Sequence, residues 1–450
     1  MRPIINQSGM RKIQIIVATL FFYCYSASTG IAQQRPSYVP ERSDVNLYQI
    51  NIRTFSKEGN FKGIMPRLDS IKNLGINVIY LMPIYPVGKV NAVNSPYCVQ
   101  DYKGVNEEFG KLEDLKTLVN SIHARKMAVI LDWVPNHTSY DHPWIKNKSW
   151  YLQDSTGKIL SPPGQPWLDV AQLNFKNKDM RNEMISSMKY WVGAADIDGF
   201  RCDYADGPTY EFWKQAITAL RAIPDHKLLL LAEGKRRDLY KAGFDYNFGF
   251  SFFEHLKDIY AKNKSVLSID TLNVSDHKGT SNGQQIVRYT TNHDVNGSDG
   301  TPQDLFGGQK GSMAAFVVAT YMNSVPMIYN GQEVGTPYKL VFPFTGQNID
   351  WSLNPGVTAE YKKIIAIRNS TPALRVNKVK TYSSIDICAF IKEKAQEKVL
   401  VLANLRNREI TYRTPAKLVH SKWTDTFTGA KYEVGETVVL APYTYMVLKN

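Results

Sequence analysis

Between residues 45 and 335 the chain repeats one pattern: a short apolar run rich in β-branched and aromatic residues, usually followed by a stretch with helical spacing. The runs are NLYQINIRTF (46–55), INVIYLMPI (76–84), MAVILDWVPNH (127–137), IDGFRCD (197–203), KLLLLAEG (227–234), FDYNFGF (244–250), IVRYTTNHD (286–294) and VPMIYNGQE (325–333). Helical stretches such as KLEDLKTLVNSIHARK (111–126) and MRNEMISSMKYWVGA (180–194) lie between most of them. Strands separated by helices need crossover connections and therefore pair in parallel. Eight of them predict a closed (β/α)8 barrel. A doubly wound open sheet is the alternative topology, but no G-x-G-x-x-G follows any of the runs.

Two departures from the repeat define the remaining organisation. After the third run lies a long stretch rich in Trp, Pro, Asp and Asn, roughly 138–178, too long for a plain connection and predicted to be an inserted subdomain. After Pro372 the helical spacing stops and only short strands and turns follow, as in VLVLANLRN and VVLAPYTYMVLKN. The expected layout is a barrel over 33–374 carrying the 138–178 insert, then an all-β sandwich domain over 375–450.

The start reads as an export signal. Arg11 and Lys12 precede the apolar IQIIVATLFFYCYSA (13–27), and small residues at Gly30 and Ala32 follow. This predicts a signal peptide over 1–32 and a periplasmic or extracellular mature protein. The run is short for a membrane span, so stable membrane insertion is not expected. The net charge of +13 is scattered rather than gathered into a basic run, which argues against a nucleic-acid footprint. Cys98, Cys202 and Cys388, the cysteines outside the leader, match no metal-site spacing and leave an odd count.

Polar residues in the apolar runs gather at their C-terminal ends. Asp132, Asn136 and His137 end the third run, Arg201 and Asp203 the fourth, Glu233 the fifth, and Asn292, His293 and Asp294 the seventh. In a parallel barrel all these ends open onto one face, where active sites of such barrels lie. Taken alone, Arg201 and Asp203 read as a structural ion pair at a strand end. Together with two further carboxylates on two other strands they predict a catalytic site. Two carboxylates in different protonation states suffice to cleave a glycosidic bond. Asp203, beside the Arg201 guanidinium, is expected to stay ionised and act as nucleophile. Glu233, after the apolar Leu228–Ala232, is expected to be desolvated, protonated and the general acid/base. His293 can donate to a sugar hydroxyl, and Asp294 can accept from two.

These segments resemble glycoside hydrolase family 13, the α-amylase family, along nearly the whole mature chain. DWVPNH (132–137), GFRCD (199–203), AEG (232–234) and TNHD (291–294) are similar to its four principal motifs, in the same order. GINVIYLMPI (75–84), IYNGQEVG (328–335) and VAQLN (170–174) are similar to accessory ones. The resemblance implies Asp203 as nucleophile, Glu233 as acid/base and Asp294 as transition-state stabiliser. It implies a sugar subsite of Tyr97, Asp132, His137, Arg201 and His293, with the sugar stacked on Tyr97. The chemistry it implies needs no cofactor. The family's usual calcium site is altered: Gln172 stands where an aspartate is common, and Asp206-Gly207 replaces a Lys-His or similar pair, leaving Asn136 as the clear remaining ligand. A hard cation needs several oxygens, so these replacements argue against calcium, and no metal ligands are assigned. The implied substrate is an α-glucan or maltooligosaccharide cleaved at α-glucosidic, chiefly α-1,4, bonds. A glucanotransferase-like transfer enzyme shares the same catalytic residues. A non-catalytic sugar-binding protein on this fold would not require all three carboxylates.

Overall fold

The computed structural model describes residues 37–281 and 283–450, so the expected signal peptide over 1–32 lies outside the described residues. All eight apolar runs supply strands: Leu47–Ile50, Val78–Leu81, Ala128–Trp133, Gly199–Cys202, Leu229–Ala232, Tyr246–Phe248, Gln285–Arg288 and Val325–Tyr329. They pair in parallel, each beside the next in sequence, and the eighth closes on the first with Leu47 opposite Met327. Every residue of these strands is buried, as expected of a parallel sheet covered on both faces. That is why the runs read as continuous apolar stretches rather than alternating ones.

The strands are shorter than the runs. Ile52–Phe55 turns into a short helix, and the seventh strand stops at Arg288. His293 and Asp294 therefore do not end a strand; they open a short helix, His293–Ser298. The cause is local. The Asn292 side-chain oxygen accepts from the Asp294 and Val295 N–H groups, both at 2.9 Å, which caps that helix.

Amphipathic helices cover the barrel. Leu112–Ala124 buries Leu115, Leu118, Val119 and Ile122, one stripe at helical spacing. Tyr210–Arg221 buries Phe212, Trp213, Ala216, Ile217 and Leu220 in the same way, and Thr209 caps its start. Gly199 opens the fourth strand at φ +147°, and a Cβ there would lie 1.9 Å from the Leu229 carbonyl oxygen. Only glycine lets the fourth and fifth strands approach this closely at that point. Among the described residues, no helix is long and apolar enough to cross a membrane.

Antiparallel strands begin at Lys380 and form a six-stranded sheet, with a separate pair, Ile410–Arg413 and Thr437–Leu440, beside it. The strand Glu397–Asn404 shows how this β region attaches. Its Val399, Val401 and Ala403 join the barrel's own core, while Leu400 and Leu402 face a second core containing Ile410, Tyr412, Trp423, Val438 and Leu440. Successive residues of a strand point to opposite faces, so one strand serves both cores. Helix Gly308–Tyr321, buried continuously from Gly311, packs between barrel and sheet. It is apolar around its circumference because it is covered on every side. The insert begins with His137–Ser139 paired antiparallel to Val170–Gln172, which returns the long excursion to the barrel top.

Glu333, just after the eighth strand, is buried. Its carboxyl accepts from the Tyr48 hydroxyl and from the Gly331 N–H at 3.0 Å. Burial pushes this carboxyl up to about 7. Below pH 4.5 the folded and unfolded chains are both protonated here. As pH rises further, the unfolded chain ionises first and the folded state loses about 3 kcal/mol relative to it by pH 7. Glu333→Gln removes that titration. Thermal unfolding from pH 4.5 to 8 should show wild type losing stability relative to the variant as pH rises, whereas parallel profiles would exclude Glu333 as the titrating group.

Candidate active site

Strand register places the charged residues. Asp132 lies directly beside Arg201 on the neighbouring strand, and Cys202 lies beside Ala232, so Glu233 follows at the same height. The Glu233 N–H holds that alignment by donating to the Cys202 carbonyl at 2.9 Å. Asp203 is two residues past Arg201 and shares its side of the chain. Cys202, on the opposite side, is buried among apolar residues.

The Arg201 guanidinium is 1% exposed and reaches three carboxylates. Nη1 donates to Asp132 Oδ1 at 2.7 Å and to Asp203 Oδ1 at 2.9 Å. Nη2 pairs with Glu233 Oε1. The other Glu233 oxygen accepts from the Tyr204 N–H at 2.9 Å. One buried cation cannot neutralise three anions. Burial first, and the charge of Glu233 second, push the Asp203 carboxyl well above the usual carboxylate range, with Arg201 opposing. This corrects the expectation that Arg201 alone keeps Asp203 ionised: at this depth desolvation outweighs the ion pair. Asp203 and Glu233 are thus two carboxyls that share one guanidinium at the base of the site.

Around this centre a second network orders the rings. Asp132 is fully buried, accepting at Oδ2 from Tyr80 OH at 2.6 Å and Tyr97 OH at 3.0 Å. Tyr97 OH also lies 2.7 Å from His293 Nε2, and its ring stacks on His293 with centroids 5.4 Å apart. The Gln49 amide nitrogen, a donor only, sits 2.7 Å from His293 Nδ1. That assigns the ring proton to Nε2, which donates to Tyr97 OH, which donates in turn to Asp132. Burial and the Arg201 charge lower the His293 imidazole to about 4, and burial lowers His137 to about 4. Both rings are neutral at ordinary pH.

A cleft of about 950 Å³ opens above. Of the residues expected from sequence, Asp203, Glu233, Asp294, Tyr97, His137 and His293 line it. Asp132 and Arg201 sit beneath its floor and act through the groups they hold. The Asp294 side chain is 59% exposed, unlike its neighbours, and projects into the cleft. Sequence reasoning missed Gln49, Tyr80, Tyr204 and Trp167. Gln49 had a signal, a polar residue inside the apolar first run. Tyr204, at φ +38°, adopts a backbone form that bulky residues rarely take, and it stands edge-on to Trp167 with centroids 5.1 Å apart. Trp167 comes from the insert.

The altered cation position is also defined. The Gln172 amide nitrogen donates to Asn136 O at 3.0 Å, Asn136 Oδ1 at 3.1 Å and Leu173 O at 3.0 Å. Asn136 Nδ2 returns a bond to Gln172 Oε1 at 3.0 Å. A Cβ on Gly207 would lie 2.2 Å from Asn136 Oδ1, so this side of the cluster closes against backbone. Oxygens that would face a cation face an N–H₂ group instead, and the set holds no carboxylate. These residues do not fit a calcium ion.

The sequence matches the family described as alpha amylase, catalytic domain, over residues 27–158 and 165–348. It is 29% identical to Alpha-amylase 2 of Dictyoglomus thermophilum across 83% of this chain and 68% of that protein. It is 24% identical to a cyclomaltodextrinase of Thermoanaerobacter pseudethanolicus across 79% of this chain and 65% of that protein. Its fold superposes on the crystal structure of an alpha-amylase from Lactobacillus plantarum with a TM-score of 0.81, at 25% identity, covering 91% of this chain and 99% of that one. With that catalytic-domain family matched over most of its length, this chain belongs to the α-amylase family.

Proposed function

We propose that the protein is a retaining glycosidase that cleaves α-glucosidic bonds, chiefly α-1,4, in starch-derived glucans or maltooligosaccharides. One observation carries this reading: Asp203 and Glu233, held by the same guanidinium, meet at the floor of a cleft that Asp294 also enters. The reaction asks for an ionised Asp203 and one proton. Placed on Glu233, it goes to the leaving oxygen as the glycosidic bond breaks, while the Asp203 carboxylate forms a bond to the anomeric carbon. Water then gives its proton to Glu233, bonds to that carbon and displaces Asp203. Asp294 accepts from sugar hydroxyls, and neutral His137 and His293 line the cleft without adding charge. Export through the N-terminal segment is part of the same reading, supported by its basic, apolar and small-residue order. Water and an acceptor sugar compete for the covalent intermediate, so the products formed from maltotriose report hydrolysis and transfer together.

Double displacement inverts the anomeric carbon twice. Proton NMR in the first minutes of maltooligosaccharide hydrolysis should therefore show the α-anomer first, and initial β-anomer would overturn the assignment of Asp203. Asp203→Asn keeps the shape and removes the nucleophile. Its turnover should fall roughly a thousandfold or more with sugar binding retained, and near wild-type rates in a pure sample would exclude the role. The chemistry needs no cofactor, and the Gln172 amide supports a barrel top held without calcium. Incubation with EDTA should leave activity and melting temperature unchanged; a calcium-reversible drop in either would show that other oxygens bind the ion.

A further inference from the structure

Arg53, on the short helix after the first strand, is 8% exposed, and no catalytic role above uses it. Its guanidinium spends all five N–H groups on three separate segments. Nε and Nη2 donate to Glu108 Oε1 at 2.9 and 2.7 Å. Nη1 donates to the Asn94 carbonyl at 2.8 Å and to the Pro343 carbonyl at 2.9 Å, and Nη2 also reaches Asn94 Oδ1 at 3.1 Å. Two loops are thus tied through one nitrogen. The first carries the cleft residues Val93 and Tyr97, the second Phe342 and Phe344.

Both loops hold backbone that needs external support. Asn94 has φ +59° and Phe344 has φ +72°, the latter unusual for a bulky side chain. Such conformations persist where surrounding contacts over-determine them. Phe344 is anchored in a small core with Met82, Leu340 and Ile349, while Phe342, 47% exposed, and Val93, 54% exposed, present apolar surface to the cleft. Exposed apolar surface at a cleft mouth marks a contact site, and the C–H faces of glucose rings pack on such groups.

We propose that Arg53 is a positioning residue that sets the spacing of Val93 and Phe342, and so the grip on glucose units beyond the one being cleaved. This rests on the reading of the cleft as an α-glucan site. Lysine cannot replace it, because an ammonium offers three donors from a single point and no planar fork.

The test compares maltoheptaose with maltotriose in wild type, Arg53→Gln, Arg53→Lys, Phe342→Ala and the Arg53→Gln/Phe342→Ala double variant, with amide hydrogen exchange over 91–97 and 341–344. Arg53→Gln and Arg53→Lys should raise KM for maltoheptaose about tenfold while kcat on maltotriose stays within about twofold of wild type. Exchange should quicken in both loops together. The double variant should be no worse than the more severe single, since both remove the same grip. Equal losses on both substrates, strictly multiplicative effects, or unchanged exchange in either loop would overturn the role. A wild type that cleaves neither glucan would instead fail the glycosidase reading, a distinct result because the exchange measurement needs no substrate.

Discussion

A single buried cation organises the centre of this protein. Arg201 occupies the top of the barrel almost without exposure, and Asp132, Asp203 and Glu233 converge on it from three adjacent strands. Guanidinium suits the position because it remains charged at any relevant pH and its planar fork serves several carboxylates at once. Buried charges on this scale are costly unless paired and hydrogen-bonded, and an unpaired remnant is strongly destabilising. The group is therefore interdependent. Three carboxylates exceed one guanidinium, and burial first, with the charge of Glu233 second, raises the Asp203 carboxyl.

The surrounding rings keep the remaining charge low. His293 is fixed between Gln49 and Tyr97, and Tyr97 passes the network on to Asp132, which Arg201 also holds. Both cleft histidines are neutral, so neither competes with Arg201 for the carboxylates. A sugar ligand has no charge to attract, and recognition falls to directed hydrogen bonds and to apolar ring faces.

Segments outside the barrel strands hold these parts in place. The insert returns to the barrel through the Asn136–Gln172 amide pair, where oxygen acceptors are satisfied by N–H donors. The C-terminal sheet adds the Val399, Val401 and Ala403 face of one strand to the barrel core and closes its other face with its own. Around the cleft mouth, Arg53 gathers two loops whose backbone local preference alone would not hold.

The barrel was legible in the residues because burial on both faces writes itself as uninterrupted apolar runs, and eight such runs with helical spacers admit few topologies. The strand-end positions of Asp132, Arg201, Asp203 and Glu233 were legible for the same reason, since strand direction carries each to one face. Strand length was not. The apolar NIRTF segment became a helix, and the Asn292 cap moved His293 and Asp294 onto another, because capping competes with pairing in a way that periodicity does not record. The upward push on the Asp203 carboxyl belonged to the tertiary structure alone. Adjacent sequence shows the favourable Arg201, but desolvation and the Glu233 charge arrive only when three strands close together. Gln49, Tyr80, Tyr204 and Trp167 were hidden for a related reason: each works through a partner distant in the chain, and distance in space is set by packing, not by composition.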